Sequence, residues 1–139
     1  MKKITICCSA NFFEKIKQIE KELKALGFDV ITPLEIGEAT DYSGLTPQKQ
    51  KELKNKFITE YLQKIRGSDA ILVANYDKNN TAGHIGANVF LEMGFAYALG
   101  KKIFLLKPIP EQNNKIEIMG LNPVVINEKI GSIKNYFNK

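Results

Sequence analysis

The sequence predicts an α/β domain, Rossmann-like in its layers. It is a five-stranded parallel sheet of flavodoxin-like order 2-1-3-4-5, with helices on both faces. Three observations predict it. Short β-branched or apolar segments alternate with segments of helical period along the whole chain, and parallel strands need such helical crossovers. The third strand, "DAILVANY", is almost continuously apolar, as befits a strand covered on both faces. No internal repeat, low-complexity tract or linker divides the 139 residues, so 1–139 reads as a single domain, long enough to bury its own core.

The elements follow in order. "KITICCSA" is β-branched and apolar and reads as a strand. "NFFEKIKQIEKELKALG" places Phe12, Ile16, Ile19, Leu23 and Leu26 at helical spacing and stops at Gly27. "FDVITP" is a second, short strand. "LEIGEATDYSGL" has turn residues and no period, which marks a loop long enough to be functional. Thr46 and Pro47 open the next helix as N-cap and first helical residue. Its apolar face is Leu53, Phe57, Tyr61 and Ile65, with Ile58 and Leu62 beside it. After the third strand come the polar loop "DKNNTAGHIG" and the helix "ANVFLEMGFAYAL", closed by Gly100. "KKIFLL" is the fourth strand. A helical turn is expected at 116–119, a fifth strand at "PVVIN", and a last helix at "EKIGSIKNYF".

Composition narrows the function classes. The formal net charge is +5, but the lysines alternate with acids, as in "EKIKQIEKELK", and such a pattern belongs to solvated helix faces. Basic and aromatic residues do not interleave on one face, so nucleic acid is not the expected partner; a positive surface does favour phosphate-bearing small molecules. No apolar run reaches the roughly 18 residues of a membrane span. "MKKITICCSA" is too short in its apolar part for a signal peptide, and an amphipathic helix follows at once. A cytoplasmic protein is expected. Cys7 and Cys8 are neighbours in a strand, point to opposite faces, and read as buried small hydrophobes. With one histidine, His84, and no CxxC, no metal site is expected.

In a sheet of order 2-1-3-4-5, ligands sit beyond the carboxyl ends of the strands where the order reverses, here between strands one and three. "CSANF" and "NYDKNN…GHIGAN" meet there. The chain has no GxxxxGK[ST], no GxGxxG after strand one and no GxSxG. What stands out is Glu92, an acid inside an oily helix, since a buried unpaired charge is costly. Two readings are open. Glu92 makes a structural ion pair with Lys101, Lys102 or an arginine, or it is an ionised carboxylate facing a ligand. In the second case the helix N-terminus supplies free N–H groups and a positive dipole end, and Glu92 can act as nucleophile or as partner of a cationic transition state.

Asn88 lies one turn earlier on the same helix face and is either a cap or a ligand contact. Gly83 and Gly86 allow close approach to the backbone. Ser9 and Asn11, at the start of the first helix, form a candidate anion site, although Ser9 also reads as a turn residue. Asp77 is a turn residue or a ligand contact. Asp69, at the opposite end of its strand, stays outside the site.

These residues carry a resemblance. "SDAILVANYDKN", a glycine-containing loop, and "NVFLEMGFAYALGKKIFLL" resemble the nucleoside 2-deoxyribosyltransferase superfamily, which includes deoxynucleoside monophosphate N-glycosidases. The N-terminal strand ending in small residues before "FF" fits as well, so the resemblance covers most of the chain. It implies that Glu92 attacks the anomeric carbon of a deoxyribosyl group, the base leaves, and water or a second base resolves the glycosyl-enzyme. It implies a nucleoside or nucleotide as the small-molecule partner, no cofactor, and a homodimer or larger oligomer. A phosphate site near the first strand and helix is implied by the glycosidase branch. This chain departs from the family at Gly86, where many members carry aspartate or serine, and at Phe90, usually glycine. It also departs at Tyr61, next to Glu60, where the family has an acid that assists the base. Asp77 and Asn88 are the residues left to take over sugar contacts. The alternative of another class is a nucleotide-binding or nucleotide-sensing module of the same fold without turnover.

Overall fold

A computed structural model describes residues 1–35 and 41–137. In chain order the elements are β1 (Lys3–Cys7), α1 (Phe13–Ala25), β2 (Asp29–Ile31), α2 (Pro47–Arg66), β3 (Ala70–Val73), α3 (Ala87–Ala98), β4 (Lys102–Leu105), α4 (Lys115–Gly120) and β5 (Val124–Val125). The five strands form one parallel sheet in the order β2-β1-β3-β4-β5, as the alternation of elements predicts. Part of the expected loop "LEIGEATDYSGL", at 36–40, lies outside the described residues.

Strand alternation sorts the core into two layers. Ile4, Ile6 and Cys8 of the first strand region, with Ala70, Leu72 and Ala74 of the third, face α1 and the C-terminal segment. Cys7, Ile71 and Val73 face α2, α3 and α4 through Tyr61, Ile65, Met93, Ala96 and Ile118. A slip of β1 by one residue would exchange these faces, so the two-sided burial fixes its register. The two cysteines do lie on opposite faces, both as buried thiols. Thr5 shares the second face, and its hydroxyl is satisfied by Ser68 Oγ at 2.6 Å. Asp69 accepts from the Lys3 N–H at 2.8 Å, at the amino end of the sheet and away from the site.

The helix ends follow local chemistry. Thr46 Oγ1 accepts from the Lys49 N–H at 3.2 Å, and Pro47 occupies the first turn. α1 runs into Gly27 at φ +94 and α3 into Gly100 at φ +71, left-handed positions that glycine occupies at little steric cost. Two expectations need correction. The first helix does not start at "NFF": a separate 3-10 turn, Ala10–Phe12, precedes α1. The expected last helix is present over Ile130–Tyr136 but is shorter than "EKIGSIKNYF" and of the 3-10 type. Its packing residues Ile130, Ile133 and Tyr136 are spaced by three, which matches the 3-10 repeat.

Candidate active site

The carboxyl ends of β1 and β3 and the start of α3 enclose a cleft of about 560 Å³, within the range of small-molecule sites. It lies at the point where strand order reverses. The segment after β1 delivers Cys8, Ser9 and Asn11. The segment after β3 delivers Asn75, Tyr76 and Lys78, and the start of α3 delivers Gly86, Asn88 and Glu92. The loop before α2 and the first turns of α2 add Asp41, Tyr42 and Lys54 from across the cleft.

Glu92 is only 7% exposed. It belongs to the inward row of α3 together with Met93 and Ala96, but where those two pack on the sheet, Glu92 lines the cleft. Lys102, one of the cations considered for an ion pair, is drawn to the opposite face of the sheet, where its Nζ lies 5.9 Å from the Tyr136 ring centre. The Cys8 thiol senses the acid. Burial first, and the negative charge of Glu92 second, push its pKa up to about 12, so Cys8 stands in the cleft wall as a neutral thiol.

Gly86 is the N-cap of α3. Among the described residues no side chain caps this helix, so Asn88 is not its cap; it is exposed and lines the cleft. Ser9 fulfils its turn reading, accepting from the Asn11 N–H at 3.3 Å, and it lines the cleft as well.

Two expected residues lie elsewhere. Asp77 is not in the cleft wall. Its Oδ1 accepts from the Gly83 N–H at 2.9 Å and lies 3.6 Å from Lys107 Nζ. The Gly83 N–H first, and Lys107 second, hold its carboxyl below the usual carboxylate range. Tyr61 is 1% exposed, in the core under β1, and its phenol donates to the Ile6 carbonyl. Gly83, expected to let a ligand approach, is enclosed by protein. At φ +66, a Cβ there would stand 3.0 Å from Asn75 Nδ2 and from the Pro108 carbonyl.

The cleft and the loops that support it also hold residues that spacing did not single out. Asn75, 2% exposed, donates to the Gly83 and Lys107 carbonyls at 3.2 and 3.1 Å and accepts from the Lys107 N–H at 2.9 Å. Gln112 clasps both backbone groups of Ile85, at 3.0 and 2.9 Å. Together they tie the loop before α3 to the loop after β4. Tyr76 stacks obliquely on Phe12 at 5.1 Å, with Lys15 Nζ 4.5 Å and Lys107 Nζ 5.8 Å from its ring centre. Lys54 had a faint signal, as the cation one turn ahead of the apolar row Phe57, Tyr61, Ile65. Tyr42, in a loop without period, had none.

Among the described residues, no cluster of His, Cys, Asp and Glu could hold a metal ion, and no helix is long and apolar enough to cross a membrane.

Comparison with known proteins agrees with this fold. The chain is similar in structure to a 2-deoxyribosyltransferase from Bacillus psychrosaccharolyticus, with 22% identity, a TM-score of 0.59, and coverage of 96% of this chain and 91% of the other. It is also similar to the CMP N-glycosidase BcmB of Clostridium botulinum, with 20% identity, a TM-score of 0.55, and coverage of 97% and 99%. At such identities these likenesses speak to the fold. A search among curated proteins finds no match. The model of the nucleoside 2-deoxyribosyltransferase family matches residues 7–125, from the last residue of β1 through the cleft and α3 to β5. The chain therefore belongs to the nucleoside 2-deoxyribosyltransferase family.

Proposed function

We propose that the protein cleaves or transfers the N-glycosidic bond of a nucleoside or nucleotide, with Glu92 as nucleophile. The observation that carries this reading is Glu92 itself: a carboxylate, almost wholly buried, set in the wall of the cleft at the switch point of the sheet. The kinds of reaction named for the two structural relatives, deoxyribosyl transfer and CMP N-glycoside cleavage, support it.

The chemistry follows from the cleft. A carboxylate oxygen of Glu92 attacks the anomeric carbon as the base departs, which is the double-displacement logic of retaining glycosidases. Burial strips water from the carboxylate, so little solvent must reorganise as charge moves to the sugar. Water or a second base then attacks the glycosyl ester and frees Glu92. In this reading Asn88, exposed on the same helix in the cleft wall, contacts the sugar. Ser9 and Asn11, with the positive charge of Lys15 and Lys78 nearby, form the side on which a phosphate would sit. The positive field of a chain with net charge +5 draws anionic substrates toward that mouth.

We further propose a homodimer or larger assembly. Leu91 and Tyr97 are exposed on α3 at 41% and 59%, and a subunit interface would cover them. A reducing, cytoplasmic setting suits the two buried thiols of Cys7 and Cys8.

The test is a panel of deoxynucleosides and their 5′-monophosphates, with free base followed by chromatography. The reading predicts base release by the wild type and a loss on the order of 10³-fold or more in Glu92→Gln. Equal rates in the two proteins would sink it. The second reading, a nucleotide-binding module without turnover, draws on Tyr61, which stands where the family has its acid and whose phenol is committed to Ile6. It predicts a thermal shift with a nucleotide that is recovered intact.

A further inference from the structure

Departure of a nucleobase needs a hydrogen-bond donor to take up the charge left on it. In this chain the residue at the family's acid position cannot supply one, because the Tyr61 O–H is spent on the Ile6 carbonyl inside the core. Another phenol is better placed. Tyr42 lines the cleft that contains Glu92, and its hydroxyl is shut off from solvent with no hydrogen-bond partner among the described residues. Leaving a buried donor unpaired costs about 1–3 kcal/mol, and native proteins pair nearly all of them. Its backbone, by contrast, is firmly held. The Tyr42 carbonyl accepts from Gln50 Nε2 at 2.8 Å and from the Leu45 N–H at 3.1 Å. The adjoining turn is closed by the Ser43 N–H on Asp41 Oδ1 at 2.9 Å. Lys54 Nζ lies 5.9 Å from the ring centre. A tyrosine anchored in the wall of a ligand cleft, with an O–H that no described residue uses, is a group whose partner arrives with the ligand.

We propose that Tyr42 is the donor to the leaving base, which deepens and rests on the reading of Glu92 as nucleophile. In the first step the bond from C1′ to the base nitrogen breaks with its electron pair going to the base. A Glu92 carboxylate oxygen bonds to C1′, and an acceptor atom of the base takes the Tyr42 proton. In the second step water attacks C1′, Glu92 is released as carboxylate, and the proton lost by that water returns to the Tyr42 oxygen. The sum is nucleoside plus water giving free base plus sugar.

The experiment compares wild type, Tyr42→Phe and Glu92→Gln on two donors: the best substrate of the panel, and 4-nitrophenyl 2-deoxyriboside, whose phenolate leaves without a proton. Melting temperatures are measured alongside. Tyr42→Phe should lower kcat on the nucleoside or nucleotide by about tenfold to a hundredfold or more. It should leave the nitrophenyl substrate near the wild-type rate, and melt at the same temperature or higher, since the lost hydroxyl had no partner among the described residues. Glu92→Gln should lose both reactions. Base release by Tyr42→Phe within about threefold of wild type, equal losses on both donors, or a lower melting temperature each overturn the role of Tyr42 while leaving Glu92 as nucleophile intact. A wild type that releases no base from any donor overturns both proposals.

Discussion

At the scale of single residues, Glu92 and Cys8 report on one another. Burial is the larger cause of the raised Cys8 pKa, and the Glu92 charge adds to it. Glu92→Gln removes only the second cause. Cys8 should then alkylate faster at pH 9 than in the wild type, yet still more slowly than an unfolded thiol, as followed by intact mass against time. An unchanged rate would mean that the acid is not charged beside the thiol. The same pair shows what was readable in the sequence. Glu92 was conspicuous because acids are seldom placed within an oily helix, and helical spacing tied Asn88 to it. Asp77 and Tyr61 were harder to place, because spacing cannot tell a side chain that faces a ligand from one that faces its own backbone. Asp77 turns to the Gly83 N–H and Tyr61 to the Ile6 carbonyl. Tyr42 left no trace in the pattern, since its position depends on hydrogen bonds to Gln50 and Leu45 rather than on a repeat.

At the scale of elements, the loop between β3 and α3 decides where Glu92 stands. Its geometry rests on Gly83, which is both left-handed and closed in by Asn75 and Pro108. Gly83→Ala adds a Cβ with two contacts at 3.0 Å to an unfavourable φ, and should cost about 2 kcal/mol or more, measured by urea unfolding. A loss within a few tenths of a kcal/mol would refute the enclosure. The Asp77 carboxyl in the same loop has a lowered pKa in the folded state. Its stabilisation is therefore present above the unfolded carboxyl value of about 3.9 and is lost as pH falls through the lower folded value. Asp77→Asn should remove that part of the acid dependence, seen as a flatter melting temperature between pH 5 and 2 on the scale of ordinary carboxylates. At the head of α2, Thr46→Ala removes the cap on the Lys49 N–H and should cost about 1 kcal/mol. That cap was legible as Thr46-Pro47, because capping is local chemistry. The clasp of Gln112 on Ile85 was not, because 27 residues separate the two.

At the scale of the whole molecule, the order of five strands followed from alternation alone, and with it the location of the cleft. The terminal helix was legible, but its 3-10 type was not, because three packing residues, Ile130, Ile133 and Tyr136, are too few to fix the helical repeat. What the fold does for the chemistry is to hold β1, β3 and α3 against one another through two separate cores, so that Glu92 is buried without being part of either. The central claim is that this buried carboxylate forms a bond to the sugar. Its most direct test is mass spectrometry of the protein quenched during turnover of the best substrate, with peptide mapping. The account predicts a mass increase of one glycosyl group, located on the peptide that carries Glu92 and absent from Glu92→Gln. Base release at full rate by Glu92→Gln, with no adduct on either protein, would contradict it.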